Sequence, residues 1–305
     1  MRPAPLAPAL AAAIGAATGA ATGRPFEIVA VAPVGGGCIH RAWRLDGRDG
    51  TAAATYFAKV NEASFAAMFA AEADGLDALR DAGTLRVPRT VTHGANDEEA
   101  WLVLEWLELA ALSPQPAAAL GHALAAQHRR PRERFGWARD NFIGSTPQAN
   151  GWSDDWLGFW REKRLHPQLR LAARNRLPSR MIDRGERLLA DCEAFFRNHA
   201  PVPSLLHGDL WSGNAAVLAD GTPVLFDPAV YVGDREADVA MTELFGGFPR
   251  ELMAAYREAW PLTADYGVRG DFYNLYHVLN HANLFAGAYV RQGEDAIERL
   301  VAQIR

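Results

Sequence analysis

Apolar and polar positions follow two regimes along the chain. Phe26–Val34 alternates loosely and is rich in Val, which predicts a strand. A glycine run at 35–37 separates it from a second strand over Ile39–Leu45, and Asp46 to Gly50 predicts a turn. Tyr56–Val60 reads as a third strand. Ala63–Arg80 carries Phe65, Met68, Phe69, Leu76 and Leu79 at helical spacing. Val87–Val91 and Ala100–Leu104 complete a small antiparallel sheet, and Glu105–Glu108 reads as a connector. From Pro116 onward the pattern is mainly helical: Ala117–Arg129, a helix opening at Ser153 with Trp156, Phe159 and Trp160 on one face, and Ser179–Asn198. Residues 135–152 read as a loop. Two apolar runs, Ala215–Leu218 and Pro223–Phe226, flank a turn and predict a strand pair. A helix starts at Asp234, Gly246–Pro249 breaks it, and three more helical segments follow. The expected fold class is α+β in two lobes: 1–105, a small antiparallel sheet, and 106–305, mainly helical.

Composition narrows the class. An apolar content of 49% over 305 residues supports a sizeable core. A net charge of -5 with mixed signs and no basic stripe speaks against a nucleic-acid partner. Cys38 and Cys192 do not make a disulfide framework, so a reducing, cytoplasmic setting is expected. Residues 3–22 are rich in Ala with one nearby base, Arg2; they read as a helix leading into the first lobe rather than as a signal peptide. No stretch has the length and apolarity of a membrane span.

The chemistry concentrates in His207-Gly208-Asp209-Leu210-Trp211-Ser212-Gly213-Asn214 and in Asp227, at the end of the next strand pair. Phosphoryl transfer needs these types: an Asp to orient a hydroxyl and take its proton, and an Asn and a second Asp to hold Mg²⁺ on the phosphates. The spacing His-x-Asp-(four)-Asn equals that of the protein-kinase catalytic loop, with Gly in place of Arg. Asp209 is therefore the candidate base, and Asn214 and Asp227 the candidate metal ligands. Upstream, the loop Gly35-Gly36-Gly37-Cys38 offers backbone N–H groups to phosphates. Lys59, on a strand, and Glu72, mid-helix, suit the ion pair that reaches the α/β-phosphates. The backbone at Glu105 and Leu107 would hydrogen-bond adenine. These features predict a protein-kinase-like fold with ATP and Mg²⁺ in the cleft. No Phe-Gly follows Asp227 and no Ala-Pro-Glu segment appears, so the acceptor is expected to be a small molecule or an exposed small adduct.

Several longer runs resemble the fructosamine kinase (ketosamine 3-kinase) family: 207–214, Phe226–Asp238, Met241–Pro249, Tyr273–His281, Gly35–Ile39, Phe57–Asn61 and Pro147–Trp152. The similarity covers nearly the whole chain; His40 departs from the small polar residue expected there. The resemblance implies ATP-dependent phosphorylation of the 3-hydroxyl of a ketosamine, borne on a small amine or a protein side chain. Phosphorylation destabilises the adduct and frees the amine, a deglycation. The chain is expected as a monomer or homodimer. The alternatives are another small-molecule kinase of the aminoglycoside or choline type, and an inactive kinase-like binding protein, against which Lys59, Asp209, Asn214 and Asp227 all speak.

Five further residues carry expectations. Asp238 reads as support for the catalytic loop through backbone N–H groups. Trp211 reads either as a flat wall for a sugar or as core. Asp234 and Arg235 are candidate substrate contacts, Arg235 alternatively pairing with Asp234 or Glu236. Cys38, in a loop rich in N–H groups, reads either as a redox-sensitive thiol or as an inert small residue.

Overall fold

The computed structural model describes residues 6–35 and 39–304. The expectations placed on Gly36, Gly37 and Cys38 lie outside the described residues. The architecture is the two-lobed α+β kinase-like fold, and its contacts divide into two compact units.

The first unit comprises the chain up to Ala111 together with Ala216–Asp227. Helix α1 (Pro8–Thr22) places Leu10 and Ile14 against Phe26, Trp43 and Leu45, which explains an Ala-rich opening with a few larger apolar residues. Strands β1 (Phe26–Val34), β2 (Arg41–Asp49), β3 (Ala52–Glu62), β4 (Thr90–Ala95) and β5 (Glu99–Glu105) form one antiparallel sheet in the order β1-β2-β3-β5-β4. After a 3₁₀ turn, helix α2 (Ala66–Ala82) buries Met68, Phe69, Leu76 and Leu79, the face its spacing predicts. The strand expected at 87–91 begins only at Thr90: Pro88 has no N–H for a ladder.

Leu112–Ala215 and Pro228–Arg305 make the second unit. Its elements are α3 (Pro114–His128), the hairpin β6 (Asn141–Ile143) and β7 (Thr146–Gln148), α4 (Trp156–Trp160), α5 (His166–Arg174), α6 (Ser179–Asp191) and β8 (Pro203–Leu206). The short strands β9 (Ala215–Val217) and β10 (Pro223–Leu225), which pair with each other, belong to the first unit except for Ala215. Strand β11 (Tyr231–Asp234), α7 (Arg235–Leu244), α8 (Arg250–Ala259), α9 (Tyr266–Phe285) and α10 (Ala288–Ile304) complete the second unit. A π-helical turn, Arg161–Leu165, joins α4 to α5. Trp156, Phe159 and Trp160 are buried together with Tyr231, Tyr273 and Tyr276, so the aromatic face is core. The helix expected to reach residue 198 ends at Asp191 and tightens into a 3₁₀ turn that buries Cys192 and Phe195.

The boundary expected at 105/106 is displaced. The first unit runs on to Ala111 and takes in the hairpin 216–227, because Ala110 bridges Val217 and Arg86 bridges Val224. Asp227 thereby belongs with Lys59 and Glu72. Among the described residues no helix is long and apolar enough to cross a membrane.

Candidate active site

In the first unit, β3 presents Lys59 and α2 presents Glu72. The hairpin bridged to Arg86 ends at Asp227. Lys59 Nζ donates to Glu72 Oε1 at 2.7 Å and to Asp227 Oδ1 at 2.6 Å. Burial alone would make the Lys59 ammonium more acidic, but the two carboxylates outweigh it and the group is held above its ordinary pKa. Burial raises the Glu72 pKa, and Lys59, shared with Asp227, only partly offsets that. Asp227 holds φ at +56, a conformation that Asp tolerates better than most residues and that is found where structure constrains function. The His40 ring lies against Phe69, and its Nδ1 accepts from Asn61 Nδ2 at 2.9 Å. Burial and the Lys59 charge lower His40 to about 4, so it is neutral at neutral pH. At Gly35 open space surrounds the position a Cβ would take.

Glu105 closes β5. Its carboxylate accepts from the Arg86 guanidinium and the Arg89 N–H, and its own N–H donates to Arg89 O. The Glu105 N–H is therefore already committed to Arg89 O. Residues 106–109, Leu107 among them, run on outside any strand or helix.

In the second unit, β8 delivers the chain into the loop 207–214, and β11 pairs with it, Tyr231 opposite Leu206. Gly208 adopts φ +81, and a Cβ there would stand 2.1 Å from Ala229 O. This loop therefore admits only glycine where the kinase pattern has Arg. As expected, Asp238 supports the loop: it accepts the N–H of His207 at 2.7 Å and of Gly208 at 2.8 Å, and His128 Nε2 lies 3.2 Å from it. Burial would raise the Asp238 pKa, but these bonds and the two histidines hold it below the ordinary carboxylate range. Asn214 Nδ2 donates to the Asp209 carbonyl at 2.9 Å and to Asp209 Oδ2 at 3.2 Å, so the two residues fix one another. Trp211 is 39% exposed and meets Phe245 edge-on at 6.4 Å. Its indole lies over Gly213, where a Cβ would come within 2.1 Å of the ring. Of the two readings of Trp211, core is the one its exposure argues against.

Asp234 and Arg235 do not fit the substrate role expected of them. Asp234 is buried, caps α7 through the Glu236 N–H at 3.1 Å, and its Oδ2 meets His199 Nε2 and Tyr273 Oη, both at 2.6 Å. Arg235 is buried over the Trp260 ring at 4.0 Å and donates to the carbonyls of Trp260 and Pro261. Both hold the scaffold together, and Arg235 pairs with neither Asp234 nor Glu236; Glu236 instead receives Arg269 at 2.7 Å. A buried polar net that residue spacing does not reveal lies under Ala229 and Val230. Asn141 Nδ2 donates to Val230 O and Gln148 Nε2 to Ala229 O; Asn150 joins Asn141 to Arg164. The only signal was the density of Asn and Gln in 141–150, which reads equally as loop.

A family model described as fructosamine kinase matches residues 10–303. The chain is 43% identical over 282 residues to a probable ketoamine kinase of Synechocystis sp., covering 90% of this chain and 92% of the relative. It is 40% identical over 284 residues to the chloroplastic protein-ribulosamine 3-kinase of Arabidopsis thaliana, covering 92% and 85%. The crystal structure of a candidate fructosamine-3-kinase from Haemophilus somnus superposes with a TM-score of 0.86 at 29% identity, covering 94% of this chain and 96% of that one.

Proposed function

This chain belongs to the fructosamine kinase family, and from that premise we propose that it transfers the γ-phosphoryl group of ATP to the 3-hydroxyl of a ketosamine, a sugar already rearranged onto an amine. The phosphorylated adduct then breaks down and releases the amine. The observation that carries the reading is the locking of Asp209 by Asn214 within a loop whose backbone Asp238 holds. A carboxylate fixed in this way can orient a hydroxyl and take its proton as the new P–O bond forms. Lys59, kept charged by Glu72 and Asp227, suits the nucleotide phosphates. Mg²⁺ is a hard cation that takes oxygen ligands, and each unit offers one: the Asp227 carboxylate in the first, and in the second the Asn214 amide oxygen, since the amide nitrogen faces Asp209. Mg²⁺ would neutralise charge on the phosphates. Trp211 is the wall for the carbon face of the sugar. Support for a ketosamine acceptor comes from the Arabidopsis relative, named a protein-ribulosamine 3-kinase.

Incubation of the purified protein with Mg·ATP and ribulose-lysine or fructose-lysine, with kanamycin and choline as controls, tests the acceptor. Phosphate should appear on a ketosamine and on neither control. Asp209→Asn should lower kcat by at least ~10²-fold with ATP affinity little changed. Phosphorylation of a control alone, or a fully active Asp209→Asn, would overturn the reading.

A further inference from the structure

Arg164 stands on the π-helical turn that joins α4 to α5, an uncommon element that is frequent at functional sites. Its side chain is fully buried, the guanidinium lying over the Tyr231 ring at 4.1 Å and the Phe159 ring at 4.8 Å. The groups that accept from it are neutral: Ala149 O at 2.7 Å, Lys163 O at 3.1 Å and Asn150 Oδ1 at 2.8 Å. A buried cation met by neutral acceptors costs stability, so its use is to be sought in what it does to those acceptors. A guanidinium can only donate, so Asn150 must turn its oxygen to Arg164 and its nitrogen away. That nitrogen donates to Asn141 Oδ1 at 2.9 Å, which turns the Asn141 nitrogen to Val230 O at 2.7 Å. Asn141 Oδ1 also takes Gln148 Nε2 at 2.8 Å, and Gln148 Oε1 is left for the Tyr276 hydroxyl at 2.8 Å. One donor-only group thus sets the sense of Asn150, Asn141, Gln148 and Tyr276, all within the second unit.

The net ends on the peptide beneath the catalytic loop. Gln148 Nε2 reaches Ala229 O at 3.2 Å, and the Ala229 N–H donates to His207 O at 2.9 Å. Ala229 O itself fills the space that a side chain at Gly208 would need. Tyr276 also feels Asp209 directly: burial, with the Asp209 charge, raises the Tyr276 pKa against the opposing Arg164 charge, so its hydroxyl stands as the donor. Resting on the assignment of Asp209 as the base in the reading above, we infer that Arg164 is a positioning residue for phosphoryl transfer. By fixing the direction of the Asn150–Asn141–Gln148 net, it holds the 229–230 backbone where that backbone sets Asp209 against the substrate hydroxyl. The loop is gripped from two sides. Asp238 accepts its N–H groups at His207 and Gly208, and Ala229 donates to its carbonyl at His207. Turning one amide of the net over would set oxygen against oxygen and nitrogen against nitrogen at the links on either side of it. The net therefore has one favourable arrangement and the loop one position, and rate is sensitive to small errors in that position.

The test is a double-mutant cycle read by single-turnover transfer from Mg·ATP to a ribulosamine, with rates expressed per ATP-binding site from calorimetry. Asn150→Asp still accepts from Arg164 but cannot donate to Asn141, so it breaks the sense of the net and keeps its shape. Tyr276→Phe is milder: it removes the donor to Gln148 Oε1 and leaves Arg164 in place. Asn150→Asp should lower the transfer rate at least about ten-fold and Tyr276→Phe about three-fold or more, each with KM for ATP within about two-fold of the parent. In an Asp209→Asn background each change should cost less than about two-fold, because a group that acts through Asp209 then has nothing left to position. Arg164→Lys, which still only donates, should keep more of the rate than Arg164→Gln, which can turn an oxygen to Asn150. Equal fold-losses in the two backgrounds would make the net plain scaffold and overturn the inference, while leaving the assignment of Asp209 intact. A fully active Asp209→Asn would defeat that assignment, and this inference with it.

Discussion

Lys59 and Asp227 are 168 residues apart in sequence, yet their side chains meet at 2.6 Å. The contact depends on the hairpin 216–227 joining the first unit, and it places the candidate metal ligand on the lysine that suits the phosphates. Asp227→Ala should raise the Mg²⁺ concentration needed for half-maximal rate and raise KM for ATP. Thermal stability should change little, because Glu72 still pairs with Lys59 at 2.7 Å. A Mg²⁺ titration of the rate checks this; an unmoved midpoint would remove Asp227 from the metal site.

Gly208 makes a sharper prediction. An alanine there combines a left-handed backbone, costing about 1–2 kcal/mol, with a methyl group driven against Ala229 O. Relief requires the His207–Asp209 backbone to move and strains the two N–H bonds to Asp238. Gly208→Ala should lose roughly 2 kcal/mol or more of stability and should lower kcat more than it affects ATP binding. Urea unfolding and steady-state kinetics measure the two losses. Parent-like values in both would mean that the loop does not depend on this conformation.

Acid should destabilise the protein well before its carboxylates titrate. His277 is buried on α9, and burial lowers its pKa from about 6.5 to about 3. Between those values the unfolded chain binds a proton that the folded chain refuses. Stability is therefore complete above the unfolded pKa and falls as pH drops, by up to about 1.4 kcal/mol per pH unit from this one group. His40, lowered to about 4, adds a smaller contribution of the same sign. Urea midpoints between pH 7 and 4 should slope downward for the parent and less steeply for His277→Gln. An equal slope in the two proteins would count against a neutral buried His277.

Much of this was legible in residue types and spacings. Lys59 could be paired with Glu72, and Asp209 with Asn214, because phosphoryl transfer demands those groups. Asp238 could be given its supporting role because the resemblance to kinase-like folds implies a loop-holding Asp at the start of the helix after the catalytic hairpin. Other positions could not be read because their partners lie far along the chain. Asp234 and Arg235 stand in a charged run that looks solvent-facing, and their burial depends on His199, Tyr273, Trp260 and Pro261. Nothing in the helical run 117–129 distinguishes His128 from a solvated basic residue at a helix end, yet it is buried between Tyr256 and Asp238. Asn141, Gln148 and Asn150 looked like loop because no local pattern shows that polar groups satisfy one another inside a core. Nothing near residue 86 or 224 announces the bridge that moves Asp227 into the first unit.

Trp211 is where stability and catalysis separate most cleanly. The indole is 39% exposed and packs over Gly213 and against the edge of Phe245, so its removal uncovers little core. As a sugar wall it holds the ring so that the reacting hydroxyl meets Asp209 in line with the phosphoryl group, and small errors in that alignment are expensive in rate. Trp211→Leu should therefore lower kcat/KM for a ketosamine by roughly tens- to hundred-fold, about 1–3 kcal/mol of transition-state stabilisation. KM for ATP and the melting temperature should barely move. A buried structural Trp would behave otherwise: truncation would cost about 1–3 kcal/mol of stability and both substrates would suffer together. Kinetics on both substrates and a melting curve from one preparation distinguish the cases. A stable Trp211→Leu enzyme with parent-like ketosamine kinetics would take the wall away from the site and leave the sugar to be held by other groups.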